Sequence, residues 1–201
     1  MIAPPMAEVS ELLNAVYRGD QSRVDELLGA DLELDVFEAA ALGRGERVRE
    51  LLDREPTLAR AVSPDGFTAL HLAAFFSHDL DSARQLVVAG ADPGVPAQNA
   101  MAVTPLGSAV ARGAHAVAVL LLDAGADVGR AQHGGYTPLH SAGANGDAEL
   151  VELLLARGAD PAAPAEDGRT PAAMARERGH PQVAAALEAA ASGHPGAGAQ
   201  G

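Results

Sequence analysis

A six-residue phrase recurs four times in the second two thirds of this chain. Its threonines stand at positions 68, 104, 137 and 170, so that successive copies are 36, 33 and 33 residues apart. A fixed period of this length indicates stacked supersecondary units, each too small to bury its own apolar face. The phrase therefore restricts the chain to a repeat architecture. The copies read Thr68-Ala-Leu-His-Leu-Ala, Thr104-Pro-Leu-Gly-Ser-Ala, Thr137-Pro-Leu-His-Ser-Ala and Thr170-Pro-Ala-Ala-Met-Ala.

The third copy indicates how one unit is built. Thr137 is expected to cap a helix, because its side chain can accept a hydrogen bond from the backbone of the first turn. Leu139, Ala142 and Gly143 share one face of that helix, and the two small residues allow a neighbouring helix to approach closely. A glycine-containing turn and a second, leucine-rich helix complete a helix pair.

The first 63 residues lack the phrase but keep the same rhythm of paired helices. We therefore predict a single repeat domain over residues 8–190, with short disordered segments at residues 1–7 and 191–201. The domain is divided into about six helix pairs. They are an N-terminal cap at 8–34, a degenerate repeat at 35–63, three repeats at 64–97, 98–131 and 132–164, and a C-terminal cap at 165–190.

These units resemble ankyrin repeats. Thr-Pro-Leu-His, a Gly-His or Gly-Asp turn, a Leu-Leu-Leu run and Gly-Ala-Asp recur in order over residues 64–190. The resemblance implies an all-α solenoid in which each unit is a hairpin-like finger followed by two antiparallel helices. It also implies that the fingers and the concave inner-helix face bind other proteins. His71 and His140 of the phrase would then form hydrogen bonds within and between repeats.

The interval between the first two copies contains three extra residues. Relative to the later units, we place one between His78 and Leu86 and two between Asp92 and Thr104. Ser77 stands where the pattern has glycine. The finger at residues 93–103 is therefore expected to be longer than its neighbours, and two interpretations remain open: a binding loop, or neutral variation in a tolerant loop.

Charge excludes two classes of partner. The formal net charge is −13, and the 14 basic residues, all arginine, form no cluster that would bind nucleic acid or an anionic membrane. The chain has no cysteine, hence no disulfide and no thiolate nucleophile. No apolar run approaches the roughly 18 residues of a membrane span, and the first residues do not resemble a secretory signal. We expect a cytoplasmic protein.

No pattern in the sequence indicates catalysis. No residue pair resembles a nucleophile with its base, and the histidines fall on separate units rather than on one metal site. The glycine-rich run at residues 196–201 has the spacing of a phosphate-binding loop but no helix after it. We expect no enzymatic activity, no cofactor and no metal.

Aromatic residues give the clearest functional signal. Three of the four phenylalanines, Phe67, Phe75 and Phe76, belong to one unit, and the family resemblance assigns them to positions that contact partners. Buried aromatic anchors dominate interface energies, so we predict these three as the hydrophobic centre of a partner-binding site. The alternative is that Phe75 or Phe76 packs against a neighbouring repeat. The other predicted contacts are Met101, Val103, Arg112, His133, Tyr136, Asn145 and Arg169.

Arg112 has two interpretations, contact with a partner or neutralisation of nearby aspartates. Overall we predict a monomeric, non-enzymatic protein-interaction module whose acidic surface favours a basic partner. Two alternatives remain open. The chain could be a dedicated inhibitor or immunity-type protein that blocks one enzyme, or a structural protein that self-associates through the aromatic patch.

Overall fold

The computed structural model describes residues 8–29 and 32–193. Twelve α-helices follow one another in these ranges, and the one isolated β-bridge described there pairs Val62 with Thr68. The architecture is the predicted all-α solenoid. The helices are α1 (Glu11–Arg18), α2 (Gln21–Leu28), α3 (Val36–Ala41), α4 (Gly45–Arg54), α5 (Ala69–Leu72), α6 (Leu80–Val88), α7 (Pro105–Ala111), α8 (His115–Asp123), α9 (Pro138–Asn145), α10 (Ala148–Ala156), α11 (Pro171–Glu177) and α12 (Pro181–Gly193).

The helices form six pairs. We call the odd-numbered first helix of each pair the inner helix and the even-numbered second helix the outer helix. Each inner helix packs on the inner helix of the next pair, from α1 to α11. The outer helices α4, α6 and α8 pack on one another in a second row. Every unit therefore buries its apolar side against its neighbours, as expected of a solenoid.

Local sequence explains where the inner helices begin and how closely they pack. Thr104 Oγ1 accepts a hydrogen bond from Gly107 N at 3.1 Å, which is the predicted capping role of the phrase threonine. Gly143 of α9 shows the predicted close approach, because a Cβ added there would lie only 2.7 Å from the carbonyl oxygen of Pro171. A larger residue at this position would push α9 away from α11.

One continuous core runs from α3 to α12, whereas the buried residues of α1 and α2 belong to two smaller clusters. The phrase leucines Leu70, Leu106 and Leu139 are fully buried in it, and the outer helices add Leu86 and Leu121. Alanine fills most of the remaining buried positions. This agrees with a composition in which aromatic residues are only 3% of the chain, because closely packed short helices need small side chains between leucines.

The predicted chain ends fall largely outside the described residues. Residues 191–193, which we predicted as the start of a disordered tail, continue α12, which ends at Gly193. The expected disorder of residues 1–7 and of the rest of the tail lies outside the described ranges.

The extra residue of the 64–97 unit lies in its inner helix, and our placement after His78 was wrong. Thr68 is eleven residues before Asp79, the cap of the outer helix, whereas Thr104 is ten residues before the corresponding Ala114. The chain absorbs the extra residue as a π-helical turn at Ala73–Ser77. A hydrogen bond from His78 N to Ala73 O at 3.0 Å closes this turn.

The π turn also moves the left-handed residue that ends the inner helix. His78 has φ 53°, a conformation that the later units assign to Gly113 and Gly146. Ser77, which we placed at the glycine position, instead donates a hydrogen bond from Oγ to Ala40 O at 2.9 Å. Our prediction placed the turn position at residue 77 instead of 78 because it assumed regular α-helical spacing throughout.

The finger at residues 93–103 is longer than its neighbours, as predicted. Ala97 N donates to Val103 O at 2.8 Å across five intervening residues, whereas the equivalent bond from Gln132 N to Tyr136 O spans three. Hydrogen bonds also join successive fingers, including His133 N to Met101 O at 3.0 Å. The finger tips are therefore fixed relative to one another.

Candidate protein-interaction site

Six of the predicted site residues meet in one apolar groove of about 610 Å³. The groove lies between the inner-helix ends and the fingers of the 64–97, 98–131 and 132–164 units, and Tyr17 of α1 closes one side of it. We call it the aromatic groove. The predicted residues that line it are Phe67, Phe75, Phe76, Met101, Val103 and His133.

Phe67 is held at the base of its finger by backbone hydrogen bonds. Ser63 N donates to Phe67 O at 2.8 Å, and Phe67 N donates to Ser63 Oγ at 3.1 Å. Its half-buried ring meets the imidazole of His71 edge-on, with ring centres 5.8 Å apart. The finger thus holds the Phe67 ring in a fixed position at the groove.

Phe76 packs on the N-terminal units and also lines the groove. Its ring stacks on Tyr17 with centroids 5.1 Å apart and an interplanar angle of 19°. The two rings belong to inner helices two pairs apart, and they join a cluster whose buried members are Leu13, Ala41 and Leu72. Small residues at the end of α3 leave space for this contact. Packing between repeats and exposure to the groove, our two interpretations, therefore coexist in Phe76.

Phe75 lies between Phe76 and Arg112. Its ring meets Phe76 edge-to-face at 4.8 Å, and the guanidinium carbon of Arg112 lies 5.2 Å from its centroid. This distance is within the range of a cation–π contact. The Arg112 side chain forms no ion pair within residues 8–29 and 32–193, so neutralisation of an aspartate does not explain its placement.

The long finger forms the outer wall of the groove. Met101 is 54% exposed at its tip, although its carbonyl is tied to the next finger through His133 N. Ala102 has φ 47°, a left-handed conformation that is uncommon for alanine. The two extra residues thus produce an apolar wall that shorter fingers would not supply.

Tyr136 and Arg169 lie outside the groove and contact each other. The Tyr136 hydroxyl donates to Asp167 Oδ2 at 2.6 Å, and the Arg169 guanidinium carbon lies 5.4 Å from the Tyr136 ring centre. Hydrogen bonds from Arg169 and Tyr136 hold the pKa of Asp167 below its usual range. These polar groups are already paired with one another.

Asn145, the last of the predicted contacts, also lies outside the groove. Its side-chain amide donates to Ala111 O at 3.1 Å, which satisfies a carbonyl at the end of the preceding inner helix. The structure thus gives Asn145 a link between repeats.

Tyr17 is a lining residue that the sequence analysis did not select. It stands seven residues after Ser10, the cap of α1, and Phe75 stands seven residues after Thr68. This equal spacing was the available signal, but without the phrase the register of the first unit was not evident. The Tyr17 hydroxyl is buried and has no hydrogen-bond partner within the described residues. Burial raises its pKa, and the Asp65 carboxylate, close by but outside hydrogen-bond geometry, raises it further.

Comparison with known protein families agrees with this architecture. A family model described as ankyrin repeats in three copies matches residues 76–165 and 106–193, which together span more than half of the chain. The chain belongs to the ankyrin repeat family. Ankyrin repeats are generally protein–protein interaction modules and are typically non-enzymatic. No curated protein matches the chain.

The ankyrin phrase histidines have the structural role that the resemblance implied. His71 Nδ1 lies 2.8 Å from Thr68 Oγ1 and Nε2 lies 2.9 Å from Val103 O, so the ring connects its own repeat to the next finger. His140 repeats this arrangement with Thr137 and Arg169 O. Burial lowers the pKa of His71 to about 4 and also lowers that of His140, so both rings are neutral at pH 7.

Two other kinds of site were searched for among the described residues of the ankyrin stack. No group of three or more histidine and carboxylate side chains is placed to hold a metal ion in residues 8–29 and 32–193. None of the helices described there is long and apolar enough to cross a membrane.

Proposed function

We propose that this ankyrin repeat protein binds another protein through the aromatic groove. The observation that supports this is the convergence of four aromatic rings from α1, one finger and the π turn, with the 54% exposed Met101 at the rim. Aromatic side chains held at an accessible surface are the usual energetic centres of interfaces. Because backbone hydrogen bonds and packing fix the groove, binding requires little ordering of the ankyrin side.

Site-specific photo-crosslinking tests this proposal. A photoreactive phenylalanine analogue replaces Met101 in the groove wall or, as the control, Val88, which is 79% exposed on the outer helix α6. We expect a protein from the source cells to crosslink at position 101 and not at position 88. The crosslinked protein is then purified and its affinity for the unmodified chain is measured.

Two groove variants complete the test. Met101→Glu changes an exposed side chain and leaves the core intact, and Phe75→Ala removes a half-buried ring. Truncation of an interface anchor costs about 2 kcal/mol or more, so Phe75→Ala should weaken binding about 30-fold. Equal crosslinking at both positions, or unchanged affinity of both variants, would contradict the proposal.

A further inference from the structure

The walls of the aromatic groove favour an uncharged occupant. Among the described residues, no aspartate, glutamate or arginine lines the groove, although charged residues make up 20% of the chain. A charged group seated there would lose hydration without gaining an oppositely charged partner on the walls. Aromatic rings, Met101 and aliphatic side chains form most of the surface. An apolar segment with bulky side chains is therefore the occupant that the groove selects.

Two end segments of the chain lie outside the described residues, and only one has this chemistry. Residues 1–7 read Met-Ile-Ala-Pro-Pro-Met-Ala, with three bulky apolar side chains and no charged side chain. Residues 194–201 contain no leucine, isoleucine, valine, methionine or phenylalanine, and they follow α12, at the other end of the stack from α1. Composition and position in the chain therefore both point to residues 1–7.

The first described residues bring residues 1–7 next to the groove. Val9 packs against the same buried cluster, around Leu72, as three of the groove's rings. Those rings are Tyr17, Phe67 and Phe76. Asn14 Nδ2 donates a hydrogen bond to Val9 O at 3.1 Å, which helps to fix the backbone where residues 1–7 join the fold.

The length of residues 1–7 suits the row of rings. An extended segment advances about 3.1 Å per residue, so seven residues span about 22 Å. The ring centres of Tyr17 and Phe76 are 5.1 Å apart, and those of Phe76 and Phe75 are 4.8 Å apart. A segment that begins beside Val9 is therefore long enough to cover this row.

We propose that residues 1–7 occupy the aromatic groove of the same chain and that a partner must displace them. As a regulation of partner binding this inference rests on the proposed function, whereas occupancy itself is measured without a partner. Residues 1–7 would then be ordered in the unbound protein, contrary to our expectation from the sequence.

The two prolines in residues 1–7 suit an aromatic surface. A proline ring fixes φ near −65°, so Pro4 and Pro5 favour an extended segment that loses little conformational entropy on docking. Proline-rich segments in this conformation dock in aromatic-lined grooves. Methionine adds a flexible thioether that makes favourable contacts with ring edges.

Attachment to α1 makes weak contacts sufficient. A short tether gives an effective concentration on the order of 1 mM. If the free peptide binds with a Kd of about 0.1 mM, the tethered segment occupies the groove in about nine molecules of ten. A partner binds only the open fraction, so its apparent affinity should be about tenfold lower for the full chain than for a chain that lacks residues 1–7.

Methyl NMR on the full chain tests occupancy. Two of the four methionines belong to residues 1–7, and the others are Met101 on the groove wall and Met174 on α11. With 13C-labelled methionine methyl groups, we expect NOEs and ring-current shifts that connect Met1 or Met6 with phenylalanine and tyrosine rings. Deletion of residues 1–7 should shift the Met101 methyl signal and leave that of Met174 unchanged.

Two matched variants show whether the segment lies in the groove. Met101→Glu puts a charge on a wall residue that is 54% exposed, so it should abolish the NOEs and leave the core intact. Val88→Glu adds the same charge at a 79% exposed position on the outer helix α6 and should retain them. A synthetic peptide of residues 1–7 should bind the deleted chain with a Kd of about 0.1 mM and the full chain about tenfold more weakly.

Several results would overturn the inference. Met1 and Met6 methyl signals at random-coil positions, without NOEs to ring protons, would do so, as would NOEs that persist in Met101→Glu. NOEs that disappear on dilution, together with a dimer in light scattering, would assign the groove to residues 1–7 of a second copy and refute occupancy within one chain. None of these results touches partner binding, which photo-crosslinking at position 101 tests separately. If the NOEs are present but removal of residues 1–7 reveals no crosslinked protein, occupancy stands and the proposed function fails.

Discussion

Acid should destabilise this protein in part through His71. The ring is 1% exposed, and its Nε2 faces the carbonyl oxygen of Val103 at 2.9 Å, so Nε2 carries the proton of the neutral form. Nδ1 accepts a hydrogen bond from Thr68 N at 3.2 Å. Protonation would end this hydrogen bond from Thr68 N, although the Thr68 hydroxyl at 2.8 Å can accept from the protonated Nδ1, and it would put a charge in the core. Burial accordingly lowers the pKa of His71 from 6.5 to about 4.

The size and sign of the effect follow from linkage. As pH falls, the unfolded chain takes up the His71 proton at about pH 6.5, whereas the folded chain takes it up only near pH 4. The contribution of neutral His71 to the free energy of unfolding is therefore complete above pH 6.5 and is lost as the pH falls toward 4. Each pKa unit corresponds to about 1.4 kcal/mol, which gives a total of about 3 kcal/mol. Most of this, about 2.5 kcal/mol, should be lost by about pH 4.5.

Urea unfolding measured by circular dichroism tests this prediction at about pH 7.5 and pH 4.5. His71→Gln should be less stable than wild type at the higher pH, because it loses buried hydrogen bonds. Its loss of stability on acidification should be smaller than that of wild type by about 2–3 kcal/mol. Other titrating groups are common to both proteins and cancel in the difference. Equal losses would refute the reasoning, and an NMR titration of the His71 ring in the wild type gives its pKa even if the variant does not fold.

Two further predictions concern stability along the stack. Leu121→Ala in α8 should lower the free energy of unfolding by about 2–5 kcal/mol because the side chain is fully buried. The control is Val119→Ala on the same helix, which should change that free energy by less than about 1 kcal/mol because Val119 is 37% exposed. Equal losses in urea titrations would contradict a continuous core. His78→Gly should raise stability by about 1 kcal/mol, or roughly 2–4 °C in Tm, because glycine adopts φ 53° without a steric penalty. His78→Ala, which keeps the Cβ, should give no such gain, and a similar increase for both would exclude the backbone explanation.

Much of the fold was predictable because its signals are local and repeated. A threonine cap, a phrase leucine and a small residue such as Gly143 each act within one helix or between adjacent helices, so their spacing in sequence carries the structural information. The hydrogen bonds of His71 and His140 were predictable from family resemblance for the same reason. The candidate groove was predictable only in part. Six residues were found, but Tyr17 was missed and Tyr136, Asn145 and Arg169 make contacts elsewhere.

The sequence by itself determined the period, the helix pairs and the repeat architecture, because the period defines a unit that must stack to bury its leucines. Only the tertiary structure decided where the extra residue lies and what it does. Between Thr68 and Asp79 an additional residue can be placed in a loop or in a helix, and local propensity does not distinguish them. Packing decides: the π turn sets Phe76 over Ala41 and against Tyr17, two helix pairs away. A contact between residues so far apart in sequence has no local signal, and it is this contact that closes one side of the groove.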